Sequence, residues 1–141
     1  CERSQLQTMR RSLPQTAIND MKIIVGDSMG EMARYYSVAN IAFVGGSLVN
    51  TGCQNVLEPA AFALPILVGP SQFNFAQICN QLESAGGMLT VSDERGLTAS
   101  LNQLVENEAL RRQMGAASKS VVEANQQALP ALLHIIDKLI S

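Results

Sequence analysis

Residues 44–70 read Val-Gly-Gly-Ser-Leu-Val-Asn-Thr-Gly-Cys-Gln-Asn-Val-Leu-Glu-Pro-Ala-Ala-Phe-Ala-Leu-Pro-Ile-Leu-Val-Gly-Pro. An apolar run, Ile41 to Val44, leads into Gly45-Gly46-Ser47. A loop of small residues follows, then a helix start at Asn55 to Pro59, then a second apolar run, Ile66 to Val68, that stops at Gly69-Pro70. Gly-rich turns thus bring two strand ends and one helix start together. In a parallel α/β sheet this is where a phosphorylated ligand docks.

The flanking sequence repeats the alternation. Met21 to Val25 is a short apolar strand ended by Gly26-Asp27. Ser28-Met29-Gly30-Glu31 opens a helix through about Val38, with Ser28 as cap and Glu31 reaching back as in a capping box. A helix from about Val56 to Phe62 precedes the Ile66 strand, and Pro65 ends the turn into it. Asn74 to Ala85 is a helix with Ile78 and Leu82 at i, i+4 spacing, closed by a left-handed C-cap at Gly86-Gly87. Met88 to Val91 is a fourth strand, and helices follow at about Leu97 to Glu106, Glu108 to Gln126 and Leu129 to Ile140.

Strands that are continuous apolar runs, alternating with helices, define an α/β fold: a Rossmann-like, doubly wound parallel sheet with flanking helices. Residues 1–20 are polar, locally basic and interrupted by Pro14. They read as a lead-in segment or the remnant of an earlier element, ahead of a domain spanning 21–141. Four strands are few for such a sheet, so leading strands are expected upstream. The chain begins at Cys1 rather than Met and reads as a piece of a longer protein.

The bulk numbers narrow the function. Of 141 residues, 47% are hydrophobic and mean hydropathy is +0.11, which suits a soluble globular domain. A net charge of -2 gives no bulk attraction for nucleic acid, and 4% aromatic residues without Trp make a poor base-stacking platform. Cys1, Cys53 and Cys79 are odd in number and lack a metal-binding spacing, which points to a reducing compartment rather than a disulfide scaffold or a zinc site. His134 is the only histidine. No apolar run approaches the roughly 20 residues needed to span a bilayer.

Two corners invite a ligand, and each has a plainer reading beside it. Gly26 to Glu31 is a strand-loop-helix turn whose free backbone N–H groups suit an anion; the pattern alone favours the plainer reading, an ordinary capped helix with Glu31 as the N3 partner of Ser28. Asn55-Val56-Leu57-Glu58-Pro59 is a second N-x-x-E helix start. With Asn55 as N-cap, Pro59 falls at N4 and removes the first helical hydrogen bond. With Glu58 as cap, Pro59 sits at the favoured N1. Glu58 then either caps the helix or accepts two ribose hydroxyls. Gly45-Gly46-Ser47 permits close backbone approach, and Ser47 offers a hydroxyl and an N–H to a phosphate; most such triplets are plain turns. Cys53 reads as a small loop residue, Cys79 as core, and Asp93-Glu94 as a solvated helix start. The final helix carries Leu132, Leu133, Ile135, Ile136, Leu139 and Ile140 on a wide apolar face, with His134, Asp137 and Lys138 on its polar side.

Gly26 to Met32, Phe43 to Val49, Asn55 to Ala60, and Gly69-Pro70 followed by Phe73-Asn74-Phe75 occur in the order and spacing of one family. The chain resembles 3-deoxy-D-manno-octulosonic acid (Kdo) transferase, strongly over residues 22–90 and loosely elsewhere. The resemblance implies the C-terminal, nucleotide-sugar-binding half of a GT-B glycosyltransferase. It would bind the donor CMP-Kdo, without a cofactor or metal, for inverting transfer to the lipid A precursor at the cytoplasmic face of the bacterial inner membrane. Membrane contact and the acceptor would belong to other parts of the full-length protein. Carried over by position, Met29, Gly30 and Glu31 would lie along the nucleotide. Gly46 and Ser47 would line the cleft floor, Asn55 would hold the phosphate and Glu58 the ribose. The catalytic carboxylate belongs to the N-terminal domain, so no catalytic residue is expected here. Where the family usually reads Gly-Gly-His-Asn, this chain has Gly52-Cys53-Gln54-Asn55, and Gln54 hydrogen-bonds without carrying a proton. The competing readings are a UDP-sugar-dependent GT-B domain and a non-catalytic α/β module that docks a partner through its last helix.

Overall fold

A computed structural model describes residues 6–12 and 22–140, with side chains through residue 126. The chain divides into two compact units, Cys1–Tyr35 and Tyr36–Ser141.

The first unit holds two strands, β1 (Thr8–Arg10) and β2 (Ile23–Val25), paired in parallel with Thr8 opposite Ile23 and Arg10 opposite Val25. The lead-in segment therefore contains a strand that the sequence reading missed. Thr-Met-Arg has a single apolar residue and gives no apolar-run signal; backbone pairing holds it instead. The Gln7 carbonyl accepts from both Lys22 and Ile23 N–H, each at 3.1 Å, and Arg11 N–H donates to the Val25 carbonyl at 2.9 Å. Helix α1 (Met32–Val38) begins in this unit and carries the chain into the second. It starts later than the Ser28 cap predicts. Gly30 takes a positive φ of 78°, which interrupts the turn, and the Glu31 carbonyl receives the first helical N–H groups, from Arg34 and Tyr35.

The second unit is built on three parallel strands, β3 (Ala42–Val44), β4 (Ile66–Val68) and β5 (Met88–Thr90), in the order β3-β4-β5. Helix α2 (Leu57–Ala61) joins β3 to β4, and α3 (Ala76–Ser84) joins β4 to β5. α4 (Glu94–Glu106) and α5 (Glu108–Ile140) follow. All three residues of the central strand β4 are fully buried, which is why it reads as an uninterrupted apolar run. Ile66 and Val68 face one cluster with Val44, Val56, Ala60, Cys79, Leu82, Met88 and Val122, while Leu67 faces another with Leu104 and Met114. Burying each Val, Leu, Ile or Met side chain among them contributes about 1.5–3 kcal/mol. Both sheet faces are thus covered, as the Rossmann-like α/β reading requires.

Several boundaries follow local chemistry. Asp93 caps α4 by accepting from Gly96 N–H at 2.8 Å, so the helix begins at Glu94, not Leu97. Gly86, at φ 79°, and Gly87 close α3 as expected, with Gly87 N–H on the Leu82 carbonyl. The two predicted terminal helices are one: α5 runs through Pro130 to Ile140. A proline removes one helical hydrogen bond and crowds one carbonyl, at about 3 kcal/mol, and here it does not end the helix. The apolar and polar faces assigned to residues 132–140 lie outside the side chains described. Among the described residues, no helix is long and apolar enough to cross a membrane.

Candidate functional site

Of the seven site residues singled out in the sequence, Met29, Gly30 and Glu31 belong to the first unit and Gly46, Ser47, Asn55 and Glu58 to the second.

In the first unit Met29 is almost wholly exposed, at 97%. The Glu31 carboxylate gathers four partners: the Ser28 hydroxyl, Arg34 Nη1 at 3.1 Å, Arg11 Nη2 at 3.4 Å and the Tyr35 hydroxyl at 3.5 Å. Ser28 therefore bonds the Glu31 side chain and does not cap the helix. The hydroxyl of Ser28 is also the main reason the Glu31 carboxyl is held below its usual 4.5, with Arg11 and Arg34 adding to it. Asp27 is likewise held below its usual 3.8, chiefly by the Ser12 hydroxyl at 2.7 Å and then by Ser12 N–H at 3.0 Å. Depressed carboxyl values mean that these ties stabilise the unit above the unfolded-chain values and are lost as pH falls through the lower folded ones. Carboxyl-carbon NMR titration is expected to give midpoints below 3.8 for Asp27 and below 4.5 for Glu31. Midpoints at or above those values would contradict the arrangement.

In the second unit the loop between β3 and α2 is stapled to the segment after β4. Ser47 is completely buried. Its hydroxyl donates to the Val44 carbonyl at 2.6 Å and accepts from Gly69 N–H at 2.8 Å. Its carbonyl accepts from Ser71 N–H at 2.9 Å. The strand ends of β3 and β4 lie so close here that a Cβ on Gly69 would collide with the Ser47 backbone. The hydroxyl that the sequence reading offered to a phosphate is committed to the fold, because joining neighbouring strand ends in a buried place demands a paired donor and acceptor. Gly46 is half-buried at φ 80°, and its carbonyl accepts from the Thr51 hydroxyl at 2.9 Å.

Asn55 and Glu58 are brought together at the start of α2. Asn55 Oδ1 accepts from Leu57 N–H at 3.0 Å, and Asn55 Nδ2 donates to Glu58 Oε1 at 3.1 Å. The helix register falls between the two readings offered by the sequence: Val56 is the N-cap residue, so Leu57 is N1 and Pro59 is N3. The N3 amide has no intrahelical partner in any helix, so the proline costs no hydrogen bond there. Asn55 supplies the side-chain cap from one residue further back, which leaves Glu58 exposed and free of capping duty. The pair lines a hollow of 370 Å³ with Leu57, Ala61, Val122 and Asn125. The Gly46-Ser47 turn is not among its walls. Half-buried Tyr36, whose ring packs 6.1 Å from that of Phe62, has its hydroxyl pushed above the usual 10.0, first by burial and then by the Glu58 charge.

Two features escaped the sequence. Asn74 donates to the Cys53 carbonyl at 2.7 Å, and Gln72 donates to both the Gly69 carbonyl and the Thr90 hydroxyl at 2.9 Å. The sequence reading marked this segment only by its Phe73-Asn74-Phe75 run and by a helix start at Asn74, whereas α3 begins at Ala76. Cys53 and Cys79 are buried free thiols, and burial, then the neighbouring Cys53, pushes Cys79 up to about 12. Cys79 is thus expected to react with a thiol reagent at neutral pH only on unfolding; fast labelling of the folded protein, read by mass spectrometry, would contradict its burial. Among the described residues no group of three or more His, Cys, Asp or Glu stands together as metal ligands would.

Turn-rich loops gathered beyond the carboxyl ends of parallel strands define a Rossmann-like α/β domain. No family model matches the chain. The chain is 37% identical over 136 residues to 3-deoxy-D-manno-octulosonic acid transferase of Haemophilus influenzae, covering 96% of this chain and 32% of that protein. It is 34% identical over 115 residues to the Bordetella pertussis transferase of the same name, covering 82% and 27%. It also superposes on the crystal structure of the C-terminal CMP-Kdo binding domain of WaaA from Acinetobacter baumannii with a TM-score of 0.81 at 30% identity, covering 86% of this chain and 64% of that one. The chain belongs to the 3-deoxy-D-manno-octulosonic acid transferase family. It spans between a quarter and a third of the length of the first two of these relatives.

Proposed function

We propose that this domain binds CMP-Kdo as the donor half of a GT-B glycosyltransferase. The full-length protein would transfer Kdo to the lipid A precursor at the cytoplasmic face of the bacterial inner membrane, in lipopolysaccharide biosynthesis. The observation that carries this reading is the likeness, at a TM-score of 0.81, to a domain described as binding CMP-Kdo. The transfer is inverting and uses neither metal nor cofactor, as the family resemblance implies; the acceptor and the membrane are contacted by other parts of the full-length protein.

The chemistry follows from the leaving group. Breaking the Kdo–CMP bond leaves negative charge on the departing phosphate. Donors fixed in place before reaction stabilise that charge more in the transition state than in the ground state, and so lower the barrier. In the second unit the amide of Asn55 serves the phosphate. Gly46 and Ser47 line the cleft floor, Ser47 fixed there by its two buried hydrogen bonds, and Glu58, freed from capping, accepts the ribose hydroxyls. Incubating the full-length protein with CMP-Kdo and lipid A precursor tests the reading: Kdo-bearing product and released CMP are expected. Activity with UDP-sugars but not CMP-Kdo would overturn it.

A further inference from the structure

The loop that delivers Asn55 is oriented largely from outside itself. Gln54 N–H closes the loop on the Gly45 carbonyl at 3.1 Å, but the residues just before it are held by the segment after β4. Gly52 N–H donates to Ser71 Oγ at 3.0 Å, Asn74 Nδ2 donates to the Cys53 carbonyl at 2.7 Å, and Cys53 Sγ lies 3.8 Å from Asn74 Oδ1. The fit is close on both sides. Gly52 sits at φ 83°, and a Cβ there would come within 2.7 Å of Asn74 Oδ1. We propose that Asn74 is a positioning residue for the nucleotide site. By fixing the Cys53 carbonyl it sets the direction in which the chain turns into α2, and hence where Asn55 and Glu58 present their polar atoms.

The proposal rests on the nucleotide-binding reading above and goes beyond it by assigning a residue that touches neither the ligand nor the reacting atoms. A residue that merely satisfied the carbonyl of buried Cys53 would affect stability alone. A positioning residue changes affinity, and does so less once Glu58, one of the two groups it places, is gone. The experiment is a double-mutant cycle on the full-length protein, with CMP affinity read by calorimetry for the unaltered chain, Asn74→Ala, Glu58→Ala and the pair. Asn74→Ala is expected to weaken CMP binding about tenfold on its own. In the Glu58→Ala background it is expected to weaken binding by only about threefold, through Asn55 alone. Equal losses in both backgrounds, or no loss in either, overturn the proposal while leaving CMP binding in place. Failure of the unaltered protein to bind CMP removes the nucleotide reading and this proposal with it. Should Asn74→Ala not fold, Asn74→Asp keeps the size but replaces the donating amide with an acceptor, and the same cycle decides.

Discussion

Replacing Ser47 by alanine is expected to destabilise the protein by about 2–4 kcal/mol, because it strands two buried backbone groups at once. The Gly69 N–H loses its acceptor and the Val44 carbonyl loses its donor, at 2.8 Å and 2.6 Å in the intact protein. Water has no route to replace the hydroxyl, since Ser47 is completely buried. The effect should show as a lower denaturant midpoint with an unchanged slope, since the loss lies in the native state and not in the surface exposed on unfolding. A cost under about 0.5 kcal/mol, the scale of an ordinary surface change, would mean that the staple is absent.

The second large effect belongs to Glu58. Its side chain is exposed, and the cap of α2 comes from Asn55. Glu58→Ala should therefore leave stability within about 1 kcal/mol of the starting value. Hydrogen bonds to a charged group contribute about 1.5–3 kcal/mol, so CMP affinity should fall by roughly ten- to a hundredfold. The substitution should also erase any preference for CMP over 2′-deoxy-CMP if, as proposed, the Glu58 carboxylate accepts the 2′-hydroxyl. A variant that still prefers the ribonucleotide would show that the ribose is held elsewhere.

The parts of the fold that rest on apolar periodicity were legible in the sequence. Ile66–Val68 is a strand over those same residues, because a strand buried on both faces leaves no ambiguity about its ends between Pro65 and Gly69. Parallel order follows from helices between strands. The Thr8–Arg10 strand was not legible, because its pairing is a backbone matter and its side chains are mostly polar. The α2 register was half legible. The proline could not sit at N4, but which residue preceded the helix depended on the Asn55 side chain reaching Leu57 N–H. The break expected between Gln126 and Leu129 is absent, since α5 runs without interruption from Glu108 to Ile140.

At the site, residue types were readable and their duties were not. Ser47 and Asn55 were both marked as polar groups beside Gly-rich turns. Burial assigns the Ser47 hydroxyl to two strand ends, and burial of a loop serine depends on the whole sheet, which no local motif records. Asn74 carried no chemical signal because its partner is a backbone carbonyl distant in sequence. Glu58 became a stronger candidate once the cap was found to be Asn55.

The most direct test is a crystal structure of the full-length protein with CMP bound. The ribose hydroxyls should lie within hydrogen-bonding distance of the Glu58 carboxylate, and the phosphate beside Asn55, with Gly46 and Ser47 on the cleft floor. CMP seated elsewhere, with the start of α2 and the Gly46 turn untouched, would contradict the account.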